Sequence, residues 1–374
     1  MTPEVRALFP VTQRAAYLNH AAVSPPPIST IRAIEAQLKD VHENGSANFR
    51  SWLSVKERAR ELLAKLLGAR PEQVAFVRNT SDALSTVANG MNWRAGDNIV
   101  TFRREFPSNI YPWLRIRDVF GVEVRMCDER DGRIEFSDLE SLIDQNTRIV
   151  AISHVQYASG FRMDLKRLGQ LARRHDALLV VDVIQALGVV PIEVEAEYID
   201  VAAGAGHKWL LTPEGVGYLY LSDRARDRIQ PTLVGWVSVP NPDDFLNFDQ
   251  GWNRGALAWE TGTAPISLIH GFKASLELLN GLGVEKIANY LEELTDYLCE
   301  RLEGRPYDIL SSREPGEKSQ IVCIRHKGDL SAMALYAQLM ERKIVTAPRN
   351  DRLRISPHLY NTSQEIDDLI NSLP

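Results

Sequence analysis

Cysteine is scarce: Cys127, Cys299 and Cys323 are the three thiols in 374 residues, and none are spaced as C-x-x-C. An odd, scattered set supports neither a disulfide framework nor a zinc site and implies a reducing compartment. Long apolar runs are also missing. No segment reaches the roughly 18 uncharged apolar residues of a membrane-crossing helix. Residues 1–20 contain Arg6 and Arg14 and hold no continuous apolar stretch of the kind a secretory leader needs. Neither sign of charge accumulates, since 43 basic and 49 acidic residues are interspersed and leave a net charge of −6. Without a basic stripe or tail, neither nucleic acid nor a membrane surface is an expected partner. These absences together predict a cytoplasmic globular protein. There is no internal repeat and no low-complexity tract.

What is present is an alternating pattern. Short apolar, β-branched runs recur at Val74–Val77, Asn98–Phe102, Val122–Met126, Arg148–Ser153, Leu178–Asp182, Asp200–Gly204 and Gly217–Leu221. Segments of helical period separate most of them, at Ala83–Met91, Ile110–Phe120, Ser137–Ile143 and Leu165–His175. Alternation of this kind predicts an α/β fold with a mainly parallel sheet of roughly seven strands covered on both faces. The gap before Gly217, which contains Pro213 and Gly215, leaves little room for a crossover helix, so one of the last two strands is expected to be antiparallel. Amphipathic helices are predicted over Pro27–Val41 and Trp52–Leu67, and Pro231–Asn253 reads as irregular. After Pro265 the pattern changes to the long helices Ile266–Leu279 and Val284–Leu302, then a strand at Gln320–Arg325 and helices at Ser331–Glu341 and Gln364–Leu373. The expected division is a large domain over 15–264 and a smaller α+β domain over 265–374, with residues 1–14 packed on the smaller one.

Chemistry concentrates at two strand ends. Lys208 follows the Gly-rich strand end at Gly204 and Gly206 and precedes Trp209. A lysine held there is partly desolvated, which makes its amine nucleophilic near neutral pH, as an imine-forming lysine must be. The buried-strand pattern Ala177–Val181 ends in Asp182, followed by Gln185. A carboxylate at that place can salt-bridge a protonated pyridine nitrogen, so lysine and aspartate together describe a pyridoxal phosphate (PLP) site. A dinucleotide reading of Gly204 and Gly206 fails because the third glycine of G-x-G-x-x-G falls on Trp209. Thr80 and Ser81 follow a predicted strand and open a helix, an arrangement that seats a phosphate, and Asp82 must then face away.

These features lie in a longer series of motifs. In order they are Tyr17–Pro25 (YLNHAAVSP), Arg78–Leu84 (RNTSDAL), Glu105–Trp113 (EFPSNIYPW), Ser153–Val155 (SHV), Val181–Asp182 with Gln185, His207–Trp209 (HKW), Glu260–Thr263 (ETGT) and Arg354–Thr362 (RISPHLYNT). Their order and spacing resemble the class V aminotransferase family of PLP enzymes over nearly the whole chain. That family includes cysteine desulfurases, isopenicillin N epimerase and several carbon–sulfur lyases. The resemblance implies a fold type I PLP enzyme acting as a homodimer with shared active sites, with no metal. It places Lys208 and Asp182 in catalysis, Gln185 on the cofactor's phenolic oxygen, and Thr263 on the phosphate from the neighbouring subunit. It places Arg354 on the substrate carboxylate, which a guanidinium fork matches, and His20 and Tyr157 near the substrate.

The chain also departs from the family pattern. Ala205 and Gly206 stand where members often carry a phosphate-binding serine or threonine, leaving His207 or a backbone amide to compensate. Phe106 occupies the region of the desulfurase ring-stacking histidine, either as a stacking aromatic or as a core residue. Tyr157 replaces a desulfurase asparagine. His154 is a further residue near the site by resemblance. No cysteine lies in Lys343–Arg354, where desulfurases carry their nucleophile, and Cys323 reads as a buried strand residue. The expectation is α-carbon chemistry on an α-amino acid, with transamination ahead of β-elimination and epimerisation. Cysteine desulfuration and a non-catalytic PLP sensor rank below these.

Overall fold

Seven of the apolar runs become strands of one sheet in the computed structural model, which describes residues 2–374. The sheet order is Val74–Val77, Gly217–Leu221, Val201–Ala205, Leu178–Asp182, Thr147–Ser153, Asn98–Phe102 and Glu123–Cys127. Gly217–Leu221 runs antiparallel to both of its neighbours, while the remaining pairs are parallel. The short connection from Ala205 to Gly217 forces this reversal, because a parallel return needs about a dozen residues of crossover.

Strand alternation divides the core in two. Leu179, Val181, Ala202 and Tyr218 face one hydrophobic cluster, shared with the helices Phe49–Leu67, Leu165–Arg174 and Ile266–Leu282. Leu178, Val180, Val201, Ala203 and Leu219 face the other, under Thr80–Gly90 and Tyr111–Phe120. Burial on both faces explains why these strands read as continuous apolar runs.

A four-stranded antiparallel sheet, in the order Ala347–Arg349, Arg352–Ile355, Val322–His326 and Tyr307–Ile309, lies in the C-terminal part. A third cluster built from Leu298, Leu335, Leu353 and Ile366 packs between it and the helices Val284–Leu302, Ala332–Glu341 and Ser363–Ser372. The N-terminal motif is tied to this region: Ala16–Tyr17 pairs in parallel with Ile344–Val345, and Asn19 bridges to Ser356. Pro231–Asn253 contains neither helix nor strand, as its composition predicts, and leaves Phe245, Leu246 and Phe248 exposed. Among the described residues no helix is long and apolar enough to cross a membrane.

One buried ion cluster clamps the helix Phe49–Leu67 to the sheet edge and to the Glu260–Thr263 motif. Glu260 accepts from Arg60 at 2.6 Å, from Lys56, and from the backbone N–H of Phe76 at 2.9 Å. All three charged side chains are buried. Removing the carboxylate leaves buried Lys56 without its partner and Arg60 with Glu57 as its remaining acid, a loss of about 3–5 kcal/mol. Glu260→Ala is therefore expected to lower the urea midpoint and the unfolding temperature clearly, whereas Glu61→Ala, an exposed ion-pair partner on the same helix, leaves both nearly unchanged.

Candidate active site

The carboxyl ends of the parallel strands open into a cavity of about 310 Å³ lined by Thr80, Ser81, Phe106, Tyr157, Asp182, Gln185, His207, Lys208, Arg349 and Arg354, among others. Ligand sites of open α/β sheets lie at this end of the strands.

Lys208 sits just beyond the strand Val201–Ala205. A Cβ on Gly206 would run into Thr212 and press on the Phe272 ring at 3.2 Å, so the chain turns closely there and carries the lysine into the interior. Lys208 is 8% exposed. Burial, partly opposed by Asp182 and assisted by Arg354 and Arg349, brings its ammonium down to about 8. Asp182 lies on the neighbouring strand, in register with Ala203. One carboxylate oxygen accepts from the Ile184 N–H at 2.9 Å, and burial pushes the group up to about 6 against the pull of that bond and of Lys208. Gln185 is held firmly, donating to the Ala21 carbonyl at 3.0 Å and accepting from the Trp209 indole at 2.8 Å.

The opposite wall is the N-terminus of helix Thr80–Gly90. Asn79 caps it by accepting from the Asp82 N–H at 2.9 Å. Thr80 has a buried hydroxyl with no partner among the described residues, and the Ser81 hydroxyl donates to Ser108 at 2.7 Å. Asp82 turns outward into an ion pair with Arg78 at 2.6 Å, so no acid faces the helix end. Gly217 keeps the adjacent strand close, since a Cβ there would lie 2.7 Å from the Asn79 backbone. His207 is half-buried on the cavity wall, its imidazole lowered by burial and by Lys208.

Arg354 comes from the C-terminal sheet. It donates to the Tyr157 carbonyl at 3.0 Å and to Asn19 at 3.4 Å, and among the described residues its Nε has no partner and no carboxylate pairs with it. Burial, reinforced by Arg349, lowers it to about 9. Phe106 is 43% exposed, so it walls the cavity and is not a core aromatic. Its ring meets Tyr157 edge to face at 5.3 Å, and Lys208 Nζ lies 5.4 Å from its centroid. Behind it Glu105 accepts from the Ser153 N–H at 2.6 Å and from Gln156 at 2.7 Å, which fixes the loop that carries Phe106.

Three residues named from the resemblance do not line this cavity, one of them, Thr263, expected to act at the neighbouring subunit's site. His20 is fully buried beside it, with both ring nitrogens occupied by the Ser356 carbonyl at 2.9 Å and the Tyr360 hydroxyl at 2.7 Å. Thr263 lines a neighbouring cavity with Arg78 and Asp82. His154 likewise opens to a different cavity, with Arg162 and Glu197. Sequence reasoning missed Arg349, Ser108 and the capping Asn79. Asn79 was legible as a strand-to-helix cap, whereas Arg349 carried no signal beyond closeness to Arg354.

A desolvated lysine, a buried strand-end carboxylate and a helix N-terminus face one cavity of this α/β fold, an arrangement suited to PLP chemistry. The aminotransferase class-V family model matches residues 16–369, and the chain belongs to that family of PLP-dependent enzymes. It is 29% identical to a probable cysteine desulfurase of Methanothermobacter thermautotrophicus, covering 100% of this chain and 97% of the relative. A cysteine desulfurase of Escherichia coli K12 is 32% identical over 81% of this chain and 78% of its own length. Among solved structures, the apo cysteine desulfurase of Thermococcus onnurineus NA1 superposes with a TM-score of 0.90 at 25% identity, covering 99% and 97% of the two chains. A cystine C–S lyase in complex with cysteine persulfide has the same fold, with a TM-score of 0.89 at 24% identity over 97% and 98% of the chains.

The residues present fit PLP: the unpartnered Thr80 hydroxyl and free helix N-terminus suit a phosphate, and the amine of Lys208 suits an aldehyde. Only its neutral form reacts, so the rate of PLP uptake by cofactor-free protein should rise with pH up to about 8 and level off above it. Stopped-flow absorbance measures this. A rate still climbing steeply toward roughly pH 10 is the behaviour of an ordinary solvated lysine and contradicts the assignment.

Proposed function

We propose that the protein transforms an α-amino acid at its α-carbon, with PLP held through Lys208, and that transamination is its reaction. The observation that carries this reading is the convergence of Lys208, Asp182 and an unpaired Arg354 on one cavity. PLP, when bound, supplies an aldehyde for the substrate amine and a ring that accepts the electrons left at the α-carbon. Asp182 holds a proton at the pyridine nitrogen, and Lys208, lowered toward neutrality, moves the α-proton. Arg354 takes the α-carboxylate in its fork. Thr80, Ser81 and the amides of their helix hold the phosphate, with His207 serving where Ala205 offers no hydroxyl. Phe106 covers the ring face, Gln185 meets the phenolic oxygen, and Tyr157 borders the substrate.

A homodimer belongs to the same proposal, with Thr263 of each subunit completing the partner's phosphate seat. Its support is that Thr263 lies outside its own cavity while the nearby irregular segment exposes Phe245 and Phe248. A cytoplasmic location follows from the sparse, unpaired cysteines.

β-Elimination and epimerisation use the same groups and are the alternative outcomes. Desulfuration, the activity for which several relatives are named, needs a mobile thiolate. Cys323 faces Arg354 across the C-terminal sheet but is fully buried, places Sγ 3.2 Å from the Ala158 carbonyl, and is pushed by burial up to about 11. Thiolates are inert in such surroundings.

Borohydride should fix a pyridoxyl group on the peptide containing Lys208, and Lys208→Ala should lose α-proton exchange into D₂O with every amino acid. Label on another lysine would sink the assignment. Incubating the holoprotein with amino acids and a keto-acid acceptor, then identifying a keto acid, pyruvate with ammonia, or the opposite enantiomer, decides the reaction. Cys323→Ser is expected to retain the native turnover, and cysteine to leave no protein-bound persulfide by mass spectrometry. A persulfide on Cys323, lost together with activity in the variant, would move the protein among the desulfurases.

A further inference from the structure

Arg349 is the second guanidinium in the cavity, and its placement follows from the hairpin that carries Arg354. Ala347 lies opposite Arg354 and Arg349 opposite Arg352. Side chains two residues apart on a strand share a face, so Arg349, Arg352 and Arg354 all project from the same side of the hairpin. Arg349 and Arg354 are diagonal neighbours there, about 7–8 Å apart at their backbones. Both line the cavity, and Arg349 is close enough to lower both Lys208 and Arg354.

Three arginines on one face repel unless anions separate them. The acids around the hairpin serve only one of the three. Glu129 pairs with Arg352 and Arg104, each at 3.4 Å, and Asp351 pairs with Arg352 and Arg325, each at 3.3 Å. Arg349 has no acidic partner among the described residues, and its one hydrogen bond, 2.7 Å, goes to the Pro348 carbonyl of its own strand. Lys208, Arg349 and Arg354 are cations in the cavity, Asp182 is its one carboxylate, and Asp182 is assigned to the cofactor ring.

Resting on the amino-acid reading above, we infer that the substrate is an acidic α-amino acid, whose α-carboxylate meets Arg354 and whose second anionic group, a carboxylate or sulfinate on the side chain, meets Arg349.

Two measurements on the holoprotein test this. Calorimetry compares glutarate with butyrate, which have no amine to react, and kinetics compares aspartate and glutamate with 2-aminobutyrate and norvaline. Charge-assisted hydrogen bonds set the expected preference for the diacid, and for kcat/KM with the acidic amino acids, at about 10- to 100-fold. Arg349→Gln should abolish both preferences, and Arg349→Lys should restore part of each, because the position then keeps its charge. Since Arg349 bonds only within its own strand, the unfolding temperature of both variants should match the parent. A preference that survives Arg349→Gln, or equal binding of glutarate and butyrate by the parent, overturns the inference, the latter also if both arginines clamp a single carboxylate. If instead glutarate is preferred but no amino acid of either kind perturbs the cofactor absorbance, the arginine pair stands as a diacid site and the α-carbon reading itself fails.

Discussion

Keeping one amine out of water governs the arrangement around it. Lys208 becomes reactive near neutral pH only because the strand end that carries it closes against Thr212 and Phe272, which requires glycine at position 206. An isolated buried ammonium is strongly disfavoured, and the nearby Asp182 carboxylate, itself raised by burial, moderates the penalty without neutralising the pair completely. The same desolvation lowers Arg354 and leaves Thr80 without a partner. Each group is thus held short of its best partner in the free protein. Such sites are stabilised elsewhere in the fold, and the clustered Glu260, Arg60 and Lys56 at the far sheet edge, fully paired, illustrate the contrast.

The parallel sheet was legible because its strands are buried on both faces and so appear as uninterrupted apolar runs with helices between them. The reversal at Gly217–Leu221 was legible from loop length alone. Strands of two to four residues, such as Ala347–Arg349 and Tyr307–Ile309, were not, because a pattern of period two cannot establish itself over so few positions. The hairpin that Ala347–Arg349 helps to form carries Arg349, which went unread, and Arg354, which was read only through the resemblance. Lys208, Asp182, Thr80 and Ser81 were readable because each ends a strand or opens a helix, places where local chemistry and tertiary position coincide. His20 shows the opposite case. Its motif is conspicuous, yet the side chain is spent on Ser356 and Tyr360, and only three-dimensional packing could reveal that.

The relatives named as cysteine desulfurases share this scaffold. Beside Arg354 this chain has a tight turn at Asn350 with positive φ, flanked by arginines. A short, paired hairpin holds its charges in fixed positions at the cavity wall. The surrounding fold need not change for the chemistry to change, which is how one architecture hosts several reactions.

The parallel pairing of Ala16–Tyr17 with Ile344–Val345 has a bearing on biosynthesis. The cavity draws residues from Ala21 and from Arg354, so this wall cannot be assembled before the hairpin that carries Arg354 has been made. Until then the N-terminal segment has no strand to join, and the seven-stranded sheet can fold ahead of it. A nascent polypeptide stalled before the hairpin Ala347–Ile355 would therefore have Lys208 and Asp182 in place but lack this wall of the cavity.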